Sequence, residues 1–207
     1  TTDFNKGASW STDDTEFALL TAKTIIRCRG KLTTEECVRS WMEDVVTQDE
    51  YKRGGASEIE AANNLRKGLQ PPLSGKFNTF HMSDGSSMRI GPIGILCAGD
   101  VERAKEYARI ESEISHFRDG VWGAQAVAAA VAAAMVDGSM EEIFDAAMSA
   151  IPEESWLYYN MTKSFEILEK KGSLLEAWME LHDFLWTSSW ATTAEAIPSA
   201  FVCLKAV

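Results

Sequence analysis

An all-α fold is predicted for this 207-residue chain by three observations. Ser/Thr-x-x-Glu pairs recur just ahead of apolar residues at helical spacing, and glycines stand where those helices should stop. No alternating run bounded by turn residues suggests a strand.

The capping pairs are Thr33 with Glu36, Ser57 with Glu60, Ser139 with Glu142 and Ser173 with Glu176. Each leads into a periodic apolar set: Val38, Trp41 and Val45; Ile59, Ala62 and Leu65; Ile143, Ala147 and Ala150; Leu174, Ala177, Trp178 and Leu181. Gly68, Gly138 and Gly172 stand at the expected C-terminal caps. The first helix is predicted from Asp14 to Cys28, with a stripe of Ala18, Leu19, Ala22, Ile25 and Ile26. Further helices are predicted over 88–98, 100–116, 119–137 and 154–171, and one beginning near Pro198. The segment 123–136 is Ala-rich and apolar on most of its circumference, which predicts a helix at the centre of a bundle. Trp41, Trp156, Trp178 and Trp186 sit at helical spacing and are expected in the core. Two loops break the rhythm: 51–57, which contains Gly54 and Gly55, and the longer 70–87. No linker or repeat divides the chain, so a single domain over 1–207 is expected.

Composition narrows the function classes. The chain carries 31 acidic and 20 basic residues, a net charge of -11, with no long Lys/Arg run. Such a surface repels a phosphate backbone, so nucleic acid and anionic membranes are disfavoured as partners. The longest apolar stretch falls short of the roughly 20 residues that span a bilayer, and no basic-then-apolar leader appears. Cys28, Cys37, Cys97 and Cys203 form neither CxxC pairs nor a dense framework. Four reduced thiols in a cytoplasmic protein are the expectation.

The densest polar cluster is Ser11-Thr12-Asp13-Asp14-Thr15-Glu16, at the entry to the first helix. Ser, Thr and Asp are favoured caps, and acids in a first turn complement the helix dipole, so capping alone could account for it. The other reading is a site for a hard metal ion. A hydroxyl and two adjacent carboxylates offer only oxygen, which suits Mg²⁺ rather than zinc or copper. Adjacent carboxylates splay apart at a helix start and could each serve one ion of a pair about 3.5–4 Å apart.

The block Trp10-Ser11-Thr12-Asp13-Asp14-Thr15-Glu16 resembles the metal-binding signature of the ADP-ribosylglycohydrolases, relatives of the dinitrogenase-reductase-activating glycohydrolase. The likeness continues in order. Arg53-Gly54-Gly55-Ala56-Ser57 is similar to the family's glycine loop, and Asp84-Gly85-Ser86-Ser87-Met88-Arg89-Ile90-Gly91-Pro92-Ile93 to its Asn-Gly-x-x-Met-Arg-x-x-Pro-Ile block. Ser115-His116 with the small-residue helix resembles its Thr-His and Ala-rich helix, and Ile197-Pro198-Ser199-Ala200 a late helix start.

The resemblance implies a magnesium-dependent hydrolase that removes ADP-ribose from a modified protein or small molecule. It implies that Thr12, Asp13 and Asp14 bind Mg²⁺ (two ions in a complete site, with Mn²⁺ an alternative) and that Asp13 and Asp14 are catalytic. Gly55, Gly85 and Ser86 would line the diphosphate, and His116 would lie near the ribose. Bare backbone N–H groups at glycines suit a phosphate. His116 alone would equally suit a cap or a buried polar residue, whereas His81 and His182 match no motif. Asp84 departs from the family's Asn and adds negative charge. The family's opening Gly-rich helix and its closing Gly-Asp-x-Asp-Ser/Thr segment have no match, so weak Mg²⁺ binding, by one ion at most, is expected. A non-catalytic ADP-ribose-binding or structural member of the same fold is the alternative. A helical adaptor without a small-molecule site is a third reading.

Overall fold

The computed structural model of the protein describes residues 11–48, 54–187 and 191–207. In chain order the helices are α1 (Asp13–Arg27), α2 (Thr34–Trp41), α3 (Ala56–Arg66), α4 (Leu73–Lys76), α5 (Gly91–Leu96), α6 (Val101–Ser112), α7 (Asp119–Ala134), α8 (Met140–Met148), α9 (Trp156–Lys171), α10 (Leu174–Leu185) and α11 (Thr193–Lys205). A π-helical turn, Met42–Val46, extends α2, and a 3₁₀ turn, Ser87–Arg89, precedes α5. Among the described residues there is no strand, only an isolated bridge between Ser83 and Thr192. The fold is all-α, as the sequence predicts.

The Ala-rich helix is the centre. α7 buries Gly123, Ala124, Ala126, Ala128, Ala129, Ala130, Ala132 and Ala133, and α5, α6, α8, α9 and α11 all pack against it. Small residues let the backbones approach closely. A Cβ on Gly94 of α5 would lie 2.5 Å from the Val131 side chain and 2.9 Å from the Ala128 carbonyl. One face of α7 joins a core with Trp41, Ile90, Ile93 and Ile114, and the other a core with Ile143, Leu157, Met161 and Phe201.

Local chemistry explains most helix starts. Thr33, Ser139 and Ser173 each accept a hydrogen bond from the backbone N–H three residues on, and Ser139 with Glu142 forms a complete reciprocal capping box. Asp100 and Ser155 cap α6 and α9 in the same way. The expected box at Ser57 does not form. α3 starts two residues earlier, with Gly55 at the N-cap, so Ser57 lies inside the first turn and its hydroxyl turns to Glu58. At the other ends, Gly172 caps α9 in the left-handed conformation, and Gly68 adopts it just after α3. After α7 it is Asp137, not Gly138, that takes positive φ.

Three further expectations are corrected. Trp41 is buried, but Trp156, Trp178 and Trp186 are 40%, 55% and 61% exposed, because α10 turns Trp178 outward and Trp186 lies past its end. Helix α1 buries Phe17, Thr21 and Thr24, not the apolar stripe, and leaves Leu19 and Ile26 in solvent. Its inward threonines are satisfied: Thr21 donates to the Phe17 carbonyl, and Thr24 bonds to the Leu20 carbonyl and to Ser40. Pro198 does not open a helix but sits inside α11. A proline there deprives the Ala194 carbonyl of its helical donor, and Asn160 of α9 supplies one at 2.6 Å.

Candidate functional site

Two helix starts and one loop meet at a single cleft of about 200 Å³. α1 brings Asp13 and Asp14, α3 brings Gly55, Ala56, Ser57 and Glu58, and the segment after α4 brings Phe80, Ser83, Asp84 and Gly85. Met88 and Ala191 complete the wall. Trp10 and Tyr51-Lys52-Arg53, which belong to the expected motifs, lie outside the described residues.

The loop is held by its own polar side chains. Buried Asn78 donates to the Ser57 carbonyl at 2.7 Å and accepts from the Phe80 N–H at 2.9 Å. The Ser86 hydroxyl donates to the Gly120 carbonyl at 2.7 Å, which ties the loop to the first turn of α7. The Asp84 N–H donates to the Ala191 carbonyl. The loop is thus anchored at three points, with Ser83, Asp84 and Gly85 presented to the cleft.

Thr12 stands at the N-cap of α1, but its hydroxyl makes no capping bond. Asp13 and Asp14 have no hydrogen bond or salt bridge to another described residue. Capping therefore does not use the oxygens of these three side chains. They remain free for a cation, and the donor set is entirely oxygen, as Mg²⁺ prefers. Among the described residues, no three His, Cys, Asp or Glu side chains converge closely enough to form a metal cage.

Gly55 and Gly85 both face the cleft, and the reason each must be glycine is the Glu58 carboxylate between them. A Cβ on Gly55 would lie 2.5 Å from Glu58 Oε2 and 3.7 Å from Asp13 Oδ2. A Cβ on Gly85 would lie 2.5 Å from Glu58 Oε1 and 2.7 Å from Ser57 Oγ. Glu58 itself is buried and paired with Arg89 at 2.8 Å, and Arg89 also holds Glu111 at 2.9 Å. The guanidinium is fully buried, donates to the Gly85 carbonyl at 3.0 Å and lies over the Trp41 and Phe17 rings.

Ser86 and His116 are fully buried and stand behind the cleft wall rather than on it. His116 belongs to a closed circuit of side chains. Ser57 Oγ donates to Glu58 Oε2 at 2.8 Å, and Ser83 Oγ donates to Ser57 Oγ at 3.1 Å. With its one proton so used, Ser83 accepts from His116 Nε2 at 3.0 Å. The network therefore assigns the Nε2–H tautomer, and Nδ1 accepts from Ser115 Oγ at 2.7 Å. Ser115 in turn accepts from Arg89 Nη2 at 2.7 Å. Burial, with Arg89 and His81 nearby, holds the imidazole pKa well below its usual value, so His116 is neutral.

A sequence model of the ADP-ribosylglycohydrolases matches residues 1–207. The chain belongs to the ADP-ribosylglycohydrolase family. It is also similar to an uncharacterized protein of Archaeoglobus fulgidus, 30% identical over 146 residues, 69% of this chain and 45% of that protein. The chain thus spans less than half the length of that relative.

Within the cleft the four acids interact. Burial raises the Asp84 pKa from 3.8 to about 6, and Asp14, Glu58 and Asp13 push it the same way. Sequence reasoning missed Glu58, Ser57 and Ser83 as part of the site. The signal was spacing: Glu58 follows Gly55 by three residues, and Arg89 follows Gly85 by four, so both chains return to their own glycine within one helical turn.

Proposed function

We propose that this chain carries the cleft of a magnesium-dependent hydrolase that releases ADP-ribose from a modified protein or small molecule. One observation carries the reading: the two carboxylates of α1 without side-chain partners share a cleft with the Gly55 and Gly85 turns. Membership of the ADP-ribosylglycohydrolase family supports the same reaction class. Thr12, Asp13 and Asp14, with waters completing the shell, would hold Mg²⁺, which when bound supplies Lewis acidity to ribose oxygens and water.

The chain's own residues do the rest. Asp13 and Asp14 face the ribose and stabilise positive charge on its anomeric carbon as the glycosidic bond breaks. Water adds its oxygen to that carbon, and its proton leaves with the acceptor group. Gly55 and Gly85 offer side-chain-free backbone where the diphosphate approaches. His116 keeps Ser83 in place from behind the wall.

The test is release of ADP-ribose from an arginine- or serine-modified protein across a Mg²⁺ titration. Release should rise with Mg²⁺ and fall at least about 100-fold in Asp13→Ala and Asp14→Ala, the scale of losing a positioned catalytic group. Activity that survives both changes would overturn the reading. A second reading, a non-catalytic ADP-ribose-binding protein, is favoured by the lack of a three-ligand metal cage among the described residues. It predicts ADP-ribose binding without release at any Mg²⁺ concentration.

A further inference from the structure

A carboxylate already stands between the glycine turns that should receive a diphosphate. Both Glu58 carboxylate oxygens press against glycines, Oε2 against Gly55 and Oε1 against Gly85, each at a distance that a single methyl group would violate. The carboxylate is not free to swing aside. Arg89 holds Oε1 at 2.8 Å, Ser57 holds Oε2 at 2.8 Å, and the side chain is 1% exposed. Nor is its charge spare positive charge in disguise, because Arg89 is shared between Glu58 and Glu111. One guanidinium and two carboxylates leave this buried group with one net negative charge.

Among the described residues the remaining charged lining of the cleft is Asp13, Asp14 and Asp84, with no Lys or Arg. An incoming diphosphate would therefore meet acidic side chains on each charged wall that the described residues form. Like charges at such separations disfavour entry unless cations intervene.

Resting on the functional reading above, we propose that Glu58 is a specificity-determining residue of this cleft. Its carboxylate occupies the anion position between Gly55 and Gly85, so a nucleoside diphosphate sugar enters only together with divalent cations. Glu58 acts by charge and position, and takes no proton in the reaction. Glu58→Gln keeps the shape and one carbonyl oxygen for Arg89 but removes the charge. Arg89 then balances the charge of Glu111 alone, and the repulsion that a bare anion meets beside the glycine turns falls.

The experiment is calorimetric titration of ADP-ribose into the full chain with EDTA and, separately, with saturating Mg²⁺. Wild-type protein should bind measurably only with Mg²⁺. Glu58→Gln should bind in EDTA, with an affinity on the order of tenfold or more above wild type, and should depend less on Mg²⁺. Glu111→Gln, which leaves the carboxylate in place between the glycines, should keep the wild-type requirement for Mg²⁺. Wild-type binding in EDTA equal to that in Mg²⁺ would overturn the proposal without recourse to any variant. Binding by wild type only with Mg²⁺, and the same requirement for Mg²⁺ in Glu58→Gln, would overturn it and spare the functional reading. Absence of binding by all three proteins in both buffers would overturn both.

Discussion

Replacing Asp84 with asparagine should stabilise the protein above pH 6 and make no difference in acid. The side chain stands on the cleft wall, half-buried, with Asp13, Asp14 and Glu58 around it, and a hydrogen bond to its own backbone offsets part of their effect. Its pKa rises from 3.8 to about 6, chiefly through burial. Below pH 3.8 the carboxyl is protonated in both folded and unfolded chains, and it contributes no pH dependence. Between about 4 and 6 the unfolded chain loses the proton while the folded chain keeps it, so stability falls as pH rises. Above 6 the full penalty is present. Two pKa units correspond to about 3 kcal/mol, and water in the open cleft screens part of that, which leaves roughly 1–2 kcal/mol. Asparagine has the same outline and no charge. In EDTA, urea unfolding at pH 7.5 should show Asp84→Asn more stable by that amount, a rise of about 2–4 °C in Tm per kcal/mol for a chain of this size. At pH 4 the two proteins should coincide. A variant less stable than wild type at pH 7.5, or equally stabilised at both pH values, would refute the reasoning.

Three other outcomes are expected. Arg89→Met should lower stability by about 3–5 kcal/mol, because it leaves Glu58 and Glu111 buried without their shared cation; urea midpoints measure it. Asn160→Ala should cost about 1–3 kcal/mol, since the Ala194 carbonyl loses the donor that replaces Pro198's missing N–H; amide exchange at the start of α11 should rise with it. Titration of the metal-free chain with Mg²⁺ should show weak binding by one ion at most, because three oxygen ligands leave the rest of an octahedral shell to water. Two tightly bound ions would contradict this.

The helices were legible where capping is local. Thr33, Ser139 and Ser173 do what their spacing to a glutamate promises. Ser57 had the same spacing, yet the chain starts α3 at Gly55 and draws Ser57 and Glu58 into the site. The Ala-rich pattern of α7 revealed its central place, because a helix apolar on most of its circumference belongs among other helices. Amphipathicity misled at the periphery. Leu19, Ile26, Trp178 and Trp186 have helical spacing but stay exposed, and the faces that do pack use Thr21, Thr24 and Ala177. For the candidate site, short motifs named Asp13, Asp14, Gly55 and Gly85, and these four share one cleft. Sequence order could not show that Glu58, Arg89 and Glu111 join across 31 and 22 residues of chain. Nor could it show that His116 stands behind Ser83 and not beside the cleft. Long-range polar circuits leave no periodic trace in a single sequence.

The central claim is that ADP-ribose lies between the starts of α1 and α3, against Asp13 and Asp14. A crystal grown with ADP-ribose and Mg²⁺ tests it most directly. Density is expected for the ligand in this cleft, its ribose beside Asp13 and Asp14 and its diphosphate toward Gly55 and Gly85. Density in another depression, such as the groove of Trp178, Leu181 and Trp186 between α10 and α11, with the α1 cleft unliganded, would contradict it.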